Sequence, residues 1–313
     1  MQRHIVTIGE ALLDIVFKDD RPVGATPGGS MLNTSVGLGR LGVPVVFVTE
    51  LAADRPGEMI RRFLRENGID TNFVTTLQSG KTPIALAFLD ENRDAVYEFY
   101  KSYPRQRLTN PLPRADKDDI LLFGSFFALD PDLRTVLGPF VDSFRRSGLT
   151  VYDPNFRKAH LSELPRLKPF IMENIDRANI VKGSNEDFSL IFGTEDPGEL
   201  FPLFRRRGCS VLVMTRGPRD VILAADGISL SVPVPSIQPI STIGAGDAFS
   251  AGFLYGLDRL RIDPSGLAHL TSDQWTTILE TAVSFSAEVC LSADNVIGRN
   301  FAAGMARKYG GAP

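Results

Sequence analysis

Four short apolar runs, Ile120–Phe123, Leu149–Tyr152, Asn179–Val181 and Val211–Met214, recur between stretches of helical periodicity, and this alternation admits few folds. Runs too short for helices and mostly apolar read as buried strands, which is the pattern of a parallel sheet packed between helices. Leu133, Val136, Leu137, Phe140 and Phe144 mark one helical face between the first two runs, where Pro139 kinks the helix unless it begins a new turn. Leu164, Leu167, Phe170, Ile171 and Ile175 mark the next. Earlier in the chain Ile5–Ile8 and Val45–Val48 read as strands, and Met59, Ile60, Phe63 and Leu64 lie on a helix stopped by Gly68. The core is therefore α/β.

At 313 residues and 43% hydrophobic content the chain can bury a full core, and the Pro-rich stretch from Pro104 to Pro113 is too short to separate independent domains. One domain spanning 1–313 is expected. Lys and Arg number 34 against 37 Asp and Glu, so the formal charge of −3 offers no footprint for nucleic acid or an anionic membrane. Two cysteines and three scattered histidines form neither a disulfide framework nor a zinc site, and the N-terminus enters a strand without a signal core. A cytoplasmic protein is expected.

In open α/β sheets ligands gather beyond the carboxyl ends of the strands. Gly124-Ser125, Asp153-Pro154-Asn155, Lys182-Gly183-Ser184 and Thr215-Arg216-Gly217 follow the four runs and are rich in polar residues and glycine. The most specific segment comes later, in Thr242-Ile243-Gly244-Ala245-Gly246-Asp247-Ala248-Phe249. A glycine-rich turn directly before a helix exposes unpaired N–H groups to an anion, while a carboxylate at the same place would repel one. Asp247 is more easily explained as a base acting on the group that attacks phosphorus, and the combination suggests phosphoryl transfer. A plain tight turn followed by a first-turn acid is the alternative. Phe249, Phe253, Leu254 and Leu257 recur at helical spacing among small residues, which predicts a buried helix with a fixed start.

Leu12–Phe17, and the pair Ile84–Leu89 with Val96–Lys101, read as β-ribbons outside the layered pattern, the pair joined by Glu91-Asn92-Arg93-Asp94. Ribbons near 12–24 and 82–103 would make a small sheet beside the core, serving as a lid, as a homodimer surface, or as both. Gly37-Leu38-Gly39-Arg40-Leu41-Gly42 matches the dinucleotide fingerprint, but a helix precedes it and a strand follows, which is the wrong context. A nicotinamide-linked dehydrogenase is therefore disfavoured. The chain also lacks a P-loop.

Pro27-Gly28-Gly29-Ser30-Met31-Leu32-Asn33 with the glycine run after it, and Ile243 to Phe249 three quarters along, resemble the two signatures of the ribokinase-like (PfkB) sugar kinases. Gly9-Glu10-x-x-x-Asp14, Tyr152-Asp153-Pro154-Asn155-x-Arg157 and Val213 to Gly217 resemble its fructokinase-like branch. The resemblance implies a three-layer core with a mostly parallel sheet and a small β-sheet lid, and an enzyme using ATP and Mg2+. It makes Asp247 the catalytic base, with the amides of Ala245, Gly246 and Asp247, after Gly244, around the γ-phosphoryl group.

It also implies that Asp14, Asn33, Phe99, Asn155 and Arg157 meet the sugar, with Gly28 and Gly29 allowing close backbone approach. Ser184, Thr215 and Gly217, with Gly244 and Gly246, would meet the nucleotide. Glu186 and Asp187 stand where the family organises magnesium through water, although Ser184 and Asp187 replace its usual Asn and Glu. Ser241 stands where the family's second signature commonly begins with Asp, so potassium activation is not predicted. Fructose is the expected acceptor. The alternatives are 2-keto-3-deoxygluconate, for which Tyr100, Lys101 and Arg157 would recognise the carboxylate, and a non-catalytic sensor of sugar or nucleotide.

Overall fold

The computed structural model describes residues 3–89 and 95–308. Its strands are β1 (Ile5–Ile8), β2 (Leu12–Lys18), β3 (Arg21–Gly28), β4 (Val45–Leu51), β5 (Ile69–Asp70), β6 (Val74–Thr76), β7 (Lys81–Leu89), β8 (Ala95–Ser102), β9 (Ile120–Gly124), β10 (Leu149–Asp153), β11 (Ile180–Ser184), β12 (Val211–Thr215), β13 (Asp220–Ala225) and β14 (Ile228–Pro233). Its helices are α1 (Ser30–Arg40), α2 (Arg55–Glu66), α3 (Arg134–Ser147), α4 (Leu164–Asp176), α5 (Asn185–Phe192), α6 (Pro197–Arg206), α7 (Ala245–Arg259), α8 (Ser272–Cys290) and α9 (Arg299–Lys308). Among the described residues no helix is long and apolar enough to cross a membrane.

The large sheet runs β14-β13-β12-β11-β10-β9-β1-β4-β5, with β6 also paired to β4. It is parallel from β12 to β5 and ends in an antiparallel hairpin, β13–β14. Successive strand residues face opposite sides. Ile5, Phe47, Leu122, Val151, Ile180 and Val213 pack under α1, α2, α7, α8 and α9, while Val6, Val48, Phe123, Tyr152, Val181 and Met214 pack under α3 to α6. Each strand predicted from an apolar run is present. The terminal hairpin was not predicted, although Asp226-Gly227 is a two-residue turn signal and Gly227 takes the positive φ of 72° that such turns require. Helix α3 runs from Arg134 to Ser147 with Pro139 inside it.

The ribbons form a second sheet of order β3-β2-β7-β8. Parallel pairing sets Asp14 beside Ala85 and Val16 beside Ala87, and antiparallel pairing sets these alanines beside Phe99 and Tyr97. One face therefore carries Asp14, Tyr97 and Phe99; the other carries Ile15, Leu86, Glu98, Tyr100 and the stacked rings of Phe17 and Phe88, 5.0 Å apart. The outer strand β3 holds Pro22 and Pro27, which cannot donate to a further strand. The turn expected at Glu91 to Asp94 lies outside the described residues.

From β1 the chain moves to β4 on one side and later returns through β9 on the other, which places the topological switch point between β1 and β9. The rejected glycine fingerprint sits on α1 and the turn after it, in contact with the α2–β5 connection. A Cβ on Gly39 would lie 2.2 Å from the Asn67 carbonyl oxygen and 2.5 Å from Ile69 Cδ1. Gly39→Ala should therefore lower stability by about 1–3 kcal/mol, the usual cost of overpacking, and leave specific activity of the folded fraction intact. Unchanged thermal unfolding would show that the contact is not needed.

Candidate active site

Helix α7 begins at a tight turn in which Gly244 takes φ 80°, and a Cβ there would meet the Asn295 carbonyl oxygen at 2.3 Å. Only glycine suits both constraints. The Ala245 N–H returns to the Thr242 carbonyl at 3.2 Å, whereas the N–H groups of Gly246 and Asp247 have no partner among the described residues. Of the three amides expected to face an anion, two are thus without a partner among the described residues. Ser286 on α8 secures the turn by donating to the Ala245 carbonyl at 3.0 Å.

Asp247 is held by α1. Ser30 Oγ donates to its Oδ1 at 2.7 Å and Asn33 Nδ2 to its Oδ2 at 2.8 Å, while Thr34 Oγ1 donates to its main-chain oxygen at 3.1 Å. The residue as a whole keeps some solvent access. Burial of its carboxylate raises the pKa, opposed by the two side-chain donors and by the charges of Lys182 and Arg157. Asn33, expected to meet the ligand, spends an amide hydrogen on Asp247, and its side-chain oxygen has no described partner. Ser30 was missed as a site residue because its partner lies 217 positions away.

Lys182 and Asp153 were also missed. They form a buried ion pair of 2.7 Å beneath the first turn of α7, where Lys182 Nζ reaches the Gly246 carbonyl at 3.3 Å. Asn155 follows at φ 40°, its N–H donating to Asp153 Oδ1 at 3.1 Å. Arg157 is exposed and has no ion pair among the described residues; its charge acts on both Asp247 and Tyr97.

Tyr97 connects this cluster with the ribbon sheet. Burial raises its hydroxyl pKa, and Asp14 adds to the shift. Phe99 stacks beside Tyr97 at 5.9 Å and stays 49% exposed. Asp14 lies over Gly28, where a Cβ would fall 1.9 Å from its Oδ2, and has no hydrogen-bond partner among the described residues. Burial pushes its pKa up to about 7. Gly29, just before α1, sits with its Cβ position 2.3 Å from the Glu10 carbonyl oxygen. Lys101 is bound to Glu10 at 2.7 Å, and the Tyr100 hydroxyl donates to Glu98 on the opposite face.

The residues expected to meet the nucleotide lie at the ends of β11 and β12, where Ser184 and Thr215 are in register. Gly217 follows at φ 58° with open space around it. Asp187 is buried in a capping box: its Oδ2 accepts the Ser184 N–H and hydroxyl, both at 2.7 Å, and its Oδ1 accepts the Phe156 N–H at 2.6 Å. That last bond ties α5 to the Asn155–Arg157 loop. Glu186 is the exposed carboxylate of the same helical turn. Among the described residues no group of three His, Cys, Asp or Glu could enclose a metal.

A family model described as pfkB family carbohydrate kinase matches residues 2–294. A fructokinase of Rhizobium leguminosarum bv. trifolii is 28% identical over 261 residues, covering 81% of this chain and 79% of that protein. Two solved structures share the fold along nearly the whole chain. Fructokinase with bound ATP from Xylella fastidiosa has a TM-score of 0.83 at 20% identity and covers 99% of this chain and 100% of its own. Aminoimidazole riboside kinase from Salmonella enterica, complexed with aminoimidazole riboside and an ATP analogue, has a TM-score of 0.81 at 20% identity and covers 98% and 99%.

Asp14 generates a pH dependence whose sign is fixed by its raised pKa. The folded state holds the proton more tightly than the unfolded chain, so its stability is greatest below the ordinary carboxylate pKa and falls as pH rises to about 7. Asp14→Asn, which mimics the protonated acid, should remove that loss. Thermal unfolding of the ligand-free proteins from pH 4 to 8 checks this: the variant should gain on the wild type across the window, and parallel curves would refute it.

Proposed function

Because this chain belongs to the pfkB family of carbohydrate kinases, we propose that it transfers the γ-phosphoryl group of ATP to a primary hydroxyl of a small neutral sugar, with fructose as the acceptor. One observation carries the reading. A carboxylate, Asp247, is pinned by Ser30 and Asn33 at the start of α7, within one residue of two unpartnered amides. A base and an oxyanion socket on adjacent residues are what in-line transfer to a hydroxyl requires.

Asp247 takes the hydroxyl proton as the oxygen attacks phosphorus, and the N–H groups of Gly246 and Asp247 receive the charge that develops on the phosphoryl oxygens. Asp14, Asn155 and the Asn33 side-chain oxygen, which has no partner among the described residues, would orient sugar hydroxyls. Phe99 and Tyr97 offer apolar walls that exclude water. Ser184, Thr215 and Gly217 line the nucleotide phosphates. The exposed apolar side chains of Ile240, Ile243 and Leu291, beside the end of α8, suit the adenine ring. Mg2+ travels with the phosphates and keeps most of its waters. Glu186 is the free carboxylate that fits a water-mediated contact with it, since both Asp187 oxygens are engaged. The apolar outer face of the ribbon sheet is where a homodimer would form, and the two free cysteines fit a reducing cytoplasm.

Arg157 favours a second reading. An exposed, unpaired cation suits the carboxylate of 2-keto-3-deoxygluconate. Lys101 and Tyr100, its expected helpers, are engaged by Glu10 and Glu98. ADP release measured with fructose, ribose, ketodeoxygluconate and nucleosides separates the readings, and a clear preference for the keto acid would replace fructose.

Asp247→Asn should lower kcat by about 10²–10⁴, the range for loss of a general base, while calorimetry finds ATP affinity little changed. Near-normal turnover would remove Asp247 from that role. Glu186→Gln should raise the magnesium concentration needed for half-maximal rate several-fold; an unchanged requirement would exclude the contact.

A further inference from the structure

The transfer chemistry above does not use the ion pair beneath α7. The side chains of Lys182 and Asp153 are 7% and 4% exposed, and their atoms are 2.7 Å apart. Such a pair contributes less to stability than apolar residues of the same volume would, because both charges must leave water. Its surroundings are organised around one peptide unit. The Gly246 carbonyl accepts from Lys182 Nζ at 3.3 Å and from Ser250 Oγ at 3.1 Å, and Ser250 Oγ also lies 3.4 Å from Asp153 Oδ2. A Cβ on Gly246 would come within 3.8 Å of Lys182 Nζ.

A trans peptide sets its C=O and N–H in opposite directions. The unit that offers its oxygen to Lys182 therefore aims the Asp247 N–H out of the helix start, into the anion socket. Donors on a carbonyl polarise the peptide and strengthen its N–H as a donor in turn, and a cation does so most. We propose that Lys182, balanced by Asp153, is a positioning residue that orients and polarises the Gly246–Asp247 peptide for the phosphoryl group in flight. This rests on the kinase reading above. Because the N–H meets most negative charge during transfer, the effect belongs in kcat and not in KM.

Lys182→Met combined with Asp153→Asn removes both charges, so that neither is left buried alone. Deleting one oxyanion donor costs about 10²–10³ in turnover, and weakening one should cost about ten- to a hundredfold, with KM for ATP and sugar within about twofold. The acid limb of the kcat/KM profile should move to higher pH, because Asp247 then loses the charge of Lys182, which favours its ionised form. In a second measurement, calorimetry with ADP, aluminium fluoride, Mg2+ and fructose should find the planar phosphoryl mimic bound about tenfold or more weakly while ADP alone binds as before. Ser250→Ala, which deletes the other donor to the same oxygen, should lower kcat several-fold and serves if the double variant does not fold.

Unchanged kcat, acid limb and mimic affinity in the folded double variant, or unchanged kcat and mimic affinity in Ser250→Ala where the double variant is unfolded, would overturn the proposal. A wild type that releases no ADP with any sugar defeats the kinase reading instead, and the binding measurement still judges Lys182.

Discussion

The starts of α1 and α7 converge on a single carboxylate, and the rest of the ligand end depends on that convergence. Each helix start carries unpaired N–H groups and partial positive charge, which makes it a place where a desolvated anion can remain ionised. Asp247 belongs to one start, and Ser30 and Asn33 bring the other to it. The convergence requires close packing. A Cβ on Gly37 of α1 would lie 3.0 Å from Ala251 Cβ of α7, and one on Gly252 would lie 2.7 Å from Ala282 Cα of α8. Larger residues along α7 would move its first turn away from α1, and Asp247 would lose its donors together with its position.

The ribbon sheet meets this platform through two polar anchors. At one, Thr82 on β7 donates to Asp54, the N-cap of α2, at 2.6 Å through its hydroxyl and at 3.0 Å through its N–H. At the other, the Tyr103 hydroxyl donates to Glu10 at 2.5 Å, and the Arg107 guanidinium stacks 3.7 Å from the Tyr103 ring while pairing with buried Glu50. Glu10 also holds Lys101 of β8. Residues from the ends of β1 and β4 thus reach both sides of the β7–β8 pair, so the ribbon face bearing Tyr97 and Phe99 is tied to the switch point where a ligand would rest. Asp14 completes the same face from β2.

Local periodicity made the parallel sheet and the glycine turn before α7 readable before any coordinates. An apolar run of three or four residues between helical stretches has few alternatives, and Gly244, Gly246 and Asp247 lie within four positions of one another. The ribbons were readable for the same reason. What could not be read was pairing across distance. Ser30 with Asp247, Lys182 with Asp153 and Asp187 with the Phe156 N–H are separated by 217, 29 and 31 positions, and each depends on which strands become neighbours. Asp187 illustrates the difficulty. Its place in Ser184-Asn185-Glu186-Asp187 is equally that of a metal-organising acid and of a capping-box partner, and only the position of the β10–α4 loop distinguishes them. The β13–β14 hairpin was a lapse of a different kind, since Asp226-Gly227 announces it locally.

The charges around the cleft bear on the nature of the acceptor. Burial raises the pKa of both Asp14 and Asp247, and a substrate carboxylate desolvated near them would bear the same cost unless it found a cation of its own. Lys101 is spent on Glu10 and Lys182 on Asp153. That leaves Arg157 as the unpaired cation acting on Asp247 among the groups described above. If a substrate carboxylate took it, the incoming phosphoryl group would lose its mobile counter-charge. In the proposed reaction a neutral polyol would make no such demand: its hydroxyls could satisfy Asp14, which at a pKa of about 7 can either donate or accept, and Arg157 would remain available to the phosphate. The same balance explains why a cation as buried as Lys182 is useful here, since it opposes the negative charge of Asp247 without offering a binding site to the substrate.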